Sequence, residues 1–264
     1  MRSFMNIYVM VDMEGISGIC RASQTGSAPA DYEKGRRYLT WDVNACVKGC
    51  FDGGARKVIV RDAHSTGYNF IWDELDPRAE YVQGDSQRER IPGIYSCDGL
   101  ILLGYHAMAG TQEAILEHTM SSASWQNFWI NGVRSGEIAI DAGIAGDHNV
   151  PVIMVSGDDK ACAEAKRFLN GVHTAVVKKG LSREGGFLLP KEKAHRLISD
   201  TAANAVKACR RIKPLKIRHP VKMRLELVSK GKLPSERKDL KIIDGRTYEV
   251  IGADVEKALK LITG

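Results

Sequence analysis

The run NIYVMV at residues 6–11 constrains the fold more than any other stretch, because it stops abruptly at Asp12 and gives way to the polar, glycine-rich MEGISG. Ile7, Val9 and Val11 are β-branched and alternate with Tyr8 and Met10, so neither face of the strand offers a polar edge to water. Such a strand belongs inside a sheet covered on both faces. Three further runs repeat the signature: KVIVR at 57–61, GLILL at 99–103 and VPVIMVS at 150–156.

Helical patterns lie between these runs. Leu39, Val43, Cys46, Val47, Cys50 and Phe51 share one helical face, with Asp31 as the expected N-cap and Gly53 and Gly54 as the stop. WQNFWI at 125–130 alternates like a strand and runs into Asn131-Gly132, the pair favoured in type I′ hairpin turns. Glu137 then opens a helix to about His148, and Asp158 or Asp159 caps another through Leu169. Weaker strands are expected near 80–83 and 174–178. The alternation implies an α/β fold, a three-layer α/β/α sheet domain over residues 1–188. From Leu189 the pattern changes to a long helix, a break at Pro214, two amphipathic strands (221–228 and 247–251) and a last helix. Residues 189–264 are expected to form a smaller α+β lobe.

With 264 residues, 44% of them hydrophobic and 27% charged, the chain has material for a full core. No apolar run reaches membrane-spanning length, and the acidic pair Asp12 and Glu14 interrupts the first run before it resembles a signal peptide. A cytoplasmic location is expected, with no membrane partner. The six cysteines are scattered, as reduced thiols would be, and Cys46 and Cys50 read as core packing. Much of the +6 net charge lies between Lys207 and Arg224, where no aromatic residue is available to stack on a base. That patch reads as a solvated face or a subunit contact, and no nucleic acid is expected.

The strong strands end in potential ligands: Asp12 and Glu14 after the first, His64 after the second, His106 after the third. In open α/β sheets ligands bind beyond the carboxyl ends of the strands, where these side chains can converge. If the backbone stays extended, Asp12 and Glu14 leave on one face and repel unless a proton or cation lies between them. A solvated turn with Glu14 exposed is the alternative. Mixed carboxylate and imidazole ligands suit zinc, with manganese or cobalt next. Two carboxylates plus two histidines exceed the three protein ligands usual for one catalytic zinc, which suggests two ions sharing a bridging carboxylate.

VDMEGISG, RDAHS, LLGYHA, EHTM and INGVRSGE, in that order and with VPVIMVSGDDKA behind them, resemble the M55 D-aminopeptidases, a family of zinc peptidases. The resemblance runs from about residue 6 to 180. It implies that Asp12, Glu14, His64, His106 and Glu137 are zinc ligands, that His118 is the catalytic histidine, and that the chain forms a ring-shaped homo-oligomer, with a decamer as the candidate size. The implied reaction is hydrolysis of the amide bond after an unblocked N-terminal residue of D configuration in a short peptide. Glu117, just before His118, is a candidate for holding the substrate's free amine. Two rivals use the same residues: a dinuclear metallophosphoesterase, which would need more cations than Arg21 and Arg61 near the strand ends, and a non-catalytic peptide- or metal-binding module.

Overall fold

The computed structural model describes residues 5–26, 28–86 and 89–264. Two sheets carry it. The first has seven strands: β1 (Met5–Val11), β2 (Ala55–Asp62), β3 (Glu80–Val82), β4 (Gly99–Tyr105), β7 (Val152–Asp158), β8 (His173–Ser182) and β9 (Gly185–Leu188). Their spatial order is β3-β2-β1-β4-β7-β8-β9. All pairings are parallel except the closing β8–β9 hairpin.

β1 is buried on both sides, as its composition demands. Ile7, Val9 and Val11 pack with α1 (Pro29–Asp52) and α4 (Lys191–Ala208). Tyr8 and Met10 pack on the other face with α2 (Glu137–Asp147) and α3 (Asp159–Phe168). These layers form the expected three-layer α/β/α sandwich. Asp158 is the α3 N-cap, its carboxylate accepting from the Ala161 amide at 2.7 Å. At α1 the cap differs from expectation: Ala28 is the N-cap and Pro29 opens the helix. Asp31 lies inside the first turn and accepts from the Ser23 hydroxyl at 2.9 Å. Proline at the first helical position needs no amide partner, so a capping side chain is dispensable there.

The second sheet is antiparallel, ordered β11-β12-β10-β5-β6, from β5 (Trp125–Ile130), β6 (Val133–Arg134), β10 (Val221–Leu227), β11 (Leu240–Ile242) and β12 (Thr247–Gly252). Asn131 and Gly132 turn the β5–β6 hairpin with φ of 47° and 83°, the positive pair of a type I′ turn. Residues 189–264 do not keep to one lobe: α4 lies over the first sheet, while β10 pairs with β5 and, with β11 and β12, packs with α2 and α5 (Val255–Thr263). The six cysteines are all free thiols, with Cys46 and Cys50 buried under α4. Among the described residues no helix is long and apolar enough to cross a membrane.

The strand order places the site. From β1 the chain moves outward through β2 and β3, then returns to lay β4 on the other side of β1. This reversal opens a crevice beyond the carboxyl ends of β1 and β4, where open α/β sheets bind ligands.

Candidate metal centre

Asp12 is the first residue after β1, and the chain then turns rather than staying extended. The turn, not strand alternation, brings Asp12 and Glu14 together, and both are only 6% exposed. Gly15 makes the turn possible. A β-carbon there would lie 2.1 Å from the Tyr105 carbonyl oxygen, so only glycine lets the loop lie across the end of β4.

Asp12 faces two ways. Its Oδ1 lies 3.0 Å from His64 Nδ1 and its Oδ2 lies 3.2 Å from His106 Nε2. Glu14 Oε2 reaches the same His64 nitrogen at 3.2 Å, and Glu137 Oε1 lies 3.3 Å from His106 Nε2. Two donor groups result, Asp12–Glu14–His64 and His106–His118–Glu137, with one ligand atom from each residue lying within 4.8 Å of the others in its group.

Each histidine is oriented by a backbone carbonyl on its other nitrogen: His64 Nε2 by Thr25, His106 Nδ1 by Ala107 and His118 Nδ1 by Leu116, all at 3.0 Å. A carbonyl can only accept, so these nitrogens carry the protons and the inward ones are left for the centre. Burial alone would depress the imidazolium pKa of His64, but Glu14 and Asp12 outweigh it and hold it well above the usual histidine range. Burial is likewise overridden at His106 by Asp12 and Glu137. The carboxylates respond in the opposite sense. Burial would raise Asp12 and Glu137, yet the imidazoles pull Asp12 well below the usual range and Glu137 down to about 2.

Glu137 arrives from the second sheet, as the first residue of α2 behind the β5–β6 hairpin. Its Oε1 also accepts from the Met120 amide at 2.8 Å, which ties the irregular 107–124 loop to the centre. Arg90 lies 3.5 Å from Glu137 Oε2 and is clamped by both oxygens of Asp141, which also accepts from the Tyr105 hydroxyl at 2.6 Å. Lys178 of β8 enters from beneath, donating to the Glu14 carbonyl at 2.5 Å, and burial pushes its pKa down to about 8.

A pocket of about 500 Å³ opens above these groups, lined by Asp12, Glu14, His64, His118 and Glu137, with Arg90 and Arg183 among its other walls. His106 is sealed beneath, its side chain 1% exposed, whereas the His118 side chain is 16% exposed. The two rings stack with centroids 3.9 Å apart, and His118 Nε2 is 3.7 Å from Glu137. Glu117 does not line the pocket. Its carboxylate accepts from the Gly110 amide and pairs with Arg183 at 2.9 Å.

All six residues expected from the sequence therefore meet in one place. The structure adds Arg90, Asp141, Arg183 and Lys178 to these, and brings the cations Arg90 and Arg183 to the pocket wall. Both are already paired with carboxylates, which reduces their value to a phosphate ester.

The residues fit a metal. Glu14 Oε2 and His106 Nε2 are buried without a hydrogen-bond partner, and costly orphans of this kind are resolved when a cation takes the lone pairs. Carboxylate oxygens and imidazole nitrogens are zinc's ordinary hard and borderline donors.

An α/β sheet whose strand ends gather two such donor groups under an open pocket defines a metal-dependent hydrolase. The chain belongs to the Peptidase_M55 family, described as D-aminopeptidase, whose model matches residues 5–263. A curated relative, D-aminopeptidase of Bacillus subtilis (strain 168), is 37% identical over 215 residues, covering 80% of this chain and 77% of its own. A solved structure, described as the Zn-dependent D-aminopeptidase DppA from Bacillus subtilis, a self-compartmentalizing protease, superposes with a TM-score of 0.92 at 32% identity. That match covers 98% of this chain and 96% of the other.

Proposed function

We propose that this chain is a zinc aminopeptidase that removes an N-terminal residue of D configuration from short peptides or amides. One observation carries the site assignment: the two oxygens of Asp12 are divided between the two donor groups. In this reading Asp12 would be shared between two ions, one also held by Glu14 and His64 and the other by His106 and Glu137. When bound, zinc supplies Lewis acidity toward the scissile carbonyl and toward water.

The chain's own residues do the rest. Leu116 fixes the His118 ring so that Nε2 faces the pocket side of Glu137, the position of a group that passes a proton to the departing amine. Asp141 holds Arg90 and, through it, limits the swing of Glu137. Glu117 is committed to Arg183, so the substrate's ammonium is assigned to the carboxylates around the centre instead. The DppA neighbour is described as self-compartmentalizing, which supports a homo-oligomeric ring here, with a decamer as the proposed size.

The test is hydrolysis of D-alanyl amide, its L isomer and a phosphate ester by zinc-loaded protein, each repeated after chelation. Chelator-sensitive release from the D-amide alone is expected. Cleavage of the ester alone moves the assignment to a phosphoesterase, and no turnover at all moves it to a binding module.

A further inference from the structure

Lys178 is 2% exposed, and among the described residues its ammonium makes no ion pair. Its three hydrogen bonds all go to backbone carbonyls of one loop: Glu14 at 2.5 Å, Ile16 at 2.9 Å and Ile19 at 2.6 Å. An ammonium has three donors, so the set is complete. A buried charge whose hydrogen bonds all go to carbonyls, with carboxylates acting only from a distance, is costly, and a methionine would fill the same space without that cost. The convergence of three carbonyls is itself unfavourable unless a cation sits among them.

The loop it grips is the one that presents Glu14. The peptide unit joining Glu14 to Gly15 is pinned at both polar ends, its carbonyl by Lys178 and its amide by the Gly104 carbonyl at 2.7 Å. Further along, the Ser17 amide and hydroxyl both donate to Asp42, at 2.8 and 2.6 Å. The Glu14 carboxylate has no comparable support, since Oε2 has no hydrogen-bond partner and only faces His64 Nδ1. The support that Glu14 has is therefore in its backbone, which fixes the point from which the side chain reaches toward the centre.

We propose that Lys178 is the positioning residue of the Asp12–Glu14–His64 donor group: as a built-in cation it fixes the 14–15 peptide plane, and with it the approach of Glu14 to the metal. This rests on the metal-centre reading above. The second donor group, His106 and Glu137, is held by other elements and receives none of the three Lys178 hydrogen bonds, so removal of the ammonium acts on one of the two ions.

The experiment compares full-length wild type, Lys178→Met and Lys178→Ala. It follows zinc by competition with a chromophoric chelator and folding by thermal unfolding of the metal-free protein. Loss of an outer partner of a ligand typically costs about 10–100-fold in metal affinity. One zinc equivalent is expected to weaken by about that factor in both variants while the other stays within about twofold. In Lys178→Ala, n-propylammonium chloride, but not sodium chloride, is expected to restore the weakened equivalent by refilling the carbonyl cage. Wild-type affinity for both equivalents in Lys178→Met overturns the inference. So does a parallel weakening of both equivalents that tracks lost thermal stability and ignores propylammonium. If neither variant folds, Lys178→Arg decides: its planar fork cannot offer three converging donors, so a single weakened equivalent supports positioning and two unchanged ones refute it. Wild type that binds no zinc is a different failure, since it removes the metal centre itself.

Discussion

Zinc loading should expel protons, one from each of the two buried histidines that face the carboxylates. His64 and His106 each face two carboxylates on the inner side, at 3.0–3.3 Å, and a backbone carbonyl, of Thr25 or Ala107, on the outer. The carboxylates beside each ring hold its pKa well above the usual histidine range, so the metal-free centre is expected to carry both histidines as imidazolium, balancing Asp12, Glu14 and Glu137. Metal ligation needs the inner lone pairs, so each histidine must lose a proton. The sign follows: both folded pKa values are raised, and zinc therefore binds more weakly as pH falls. With one imidazole per ion, each ion's affinity changes about tenfold per pH unit, about 1.4 kcal/mol, below the raised pKa values. Calorimetric titration of zinc into metal-free protein at pH 6, in two buffers of different ionisation heat, measures the release directly. At that pH a zinc-activated water, with its pKa near ~7, stays largely protonated. Two protons per chain are expected. Release of less than about half a proton, with an affinity independent of pH, would refute the imidazolium assignment.

Other consequences follow from particular contacts. In Gly15→Ala the new methyl meets the Tyr105 carbonyl oxygen at 2.1 Å and Gly104 carbon at 2.4 Å, both backbone, so the Asp12–Glu14 loop must lift. A displacement of about 1 Å can cost ~10²-fold in rate, and overpacking costs about 1–3 kcal/mol; kcat/KM within twofold of wild type and an unchanged Tm would contradict this. Burial raises Glu164 from 4.5 to about 7, its Oε2 accepting from the Met108 amide. That group's stabilising contribution is complete below its unfolded pKa and is lost as pH rises through 7, on the order of 3 kcal/mol. Glu164→Gln should flatten this part of the stability profile in urea unfolding between pH 4.5 and 8, and an unaltered slope would show that Glu164 does not hold its proton. His118→Ala should keep its zinc while turnover drops by about 10²–10⁴-fold; loss of zinc instead would make His118 a ligand.

The parts legible in the sequence are those where one physical cause dominates. β1, β2, β4 and β7 are buried on both faces, so their apolar runs could not be anything but central strands, and the ligands at their ends announced the crevice. Asn131-Gly132 announced its hairpin because both residues tolerate positive φ. Glu137 and His118 had no such signal. One begins a helix from the second sheet and the other sits in an aperiodic loop, and only the family resemblance selected them. Lys178 looked like the polar end of a short strand, because its three partners are carbonyls, which no side-chain pattern records. Arg90 is hidden for a related reason, since it lies in a loop and its partner Asp141 comes fifty-one residues later, inside α2. The assembly of β5 with β10 escaped notice because antiparallel pairing across some ninety residues leaves no periodicity to read.

The bridging role of Asp12 is tested most directly by counting zinc per chain, by elemental analysis after dialysis at neutral pH, in wild type, Glu14→Gln and Asp12→Asn. Two ions are expected in wild type, one in Glu14→Gln, and close to none in Asp12→Asn, because that substitution withdraws a charged oxygen from both donor groups at once. A single ion in wild type, or one ion retained equally by both variants, would contradict a centre built around Asp12.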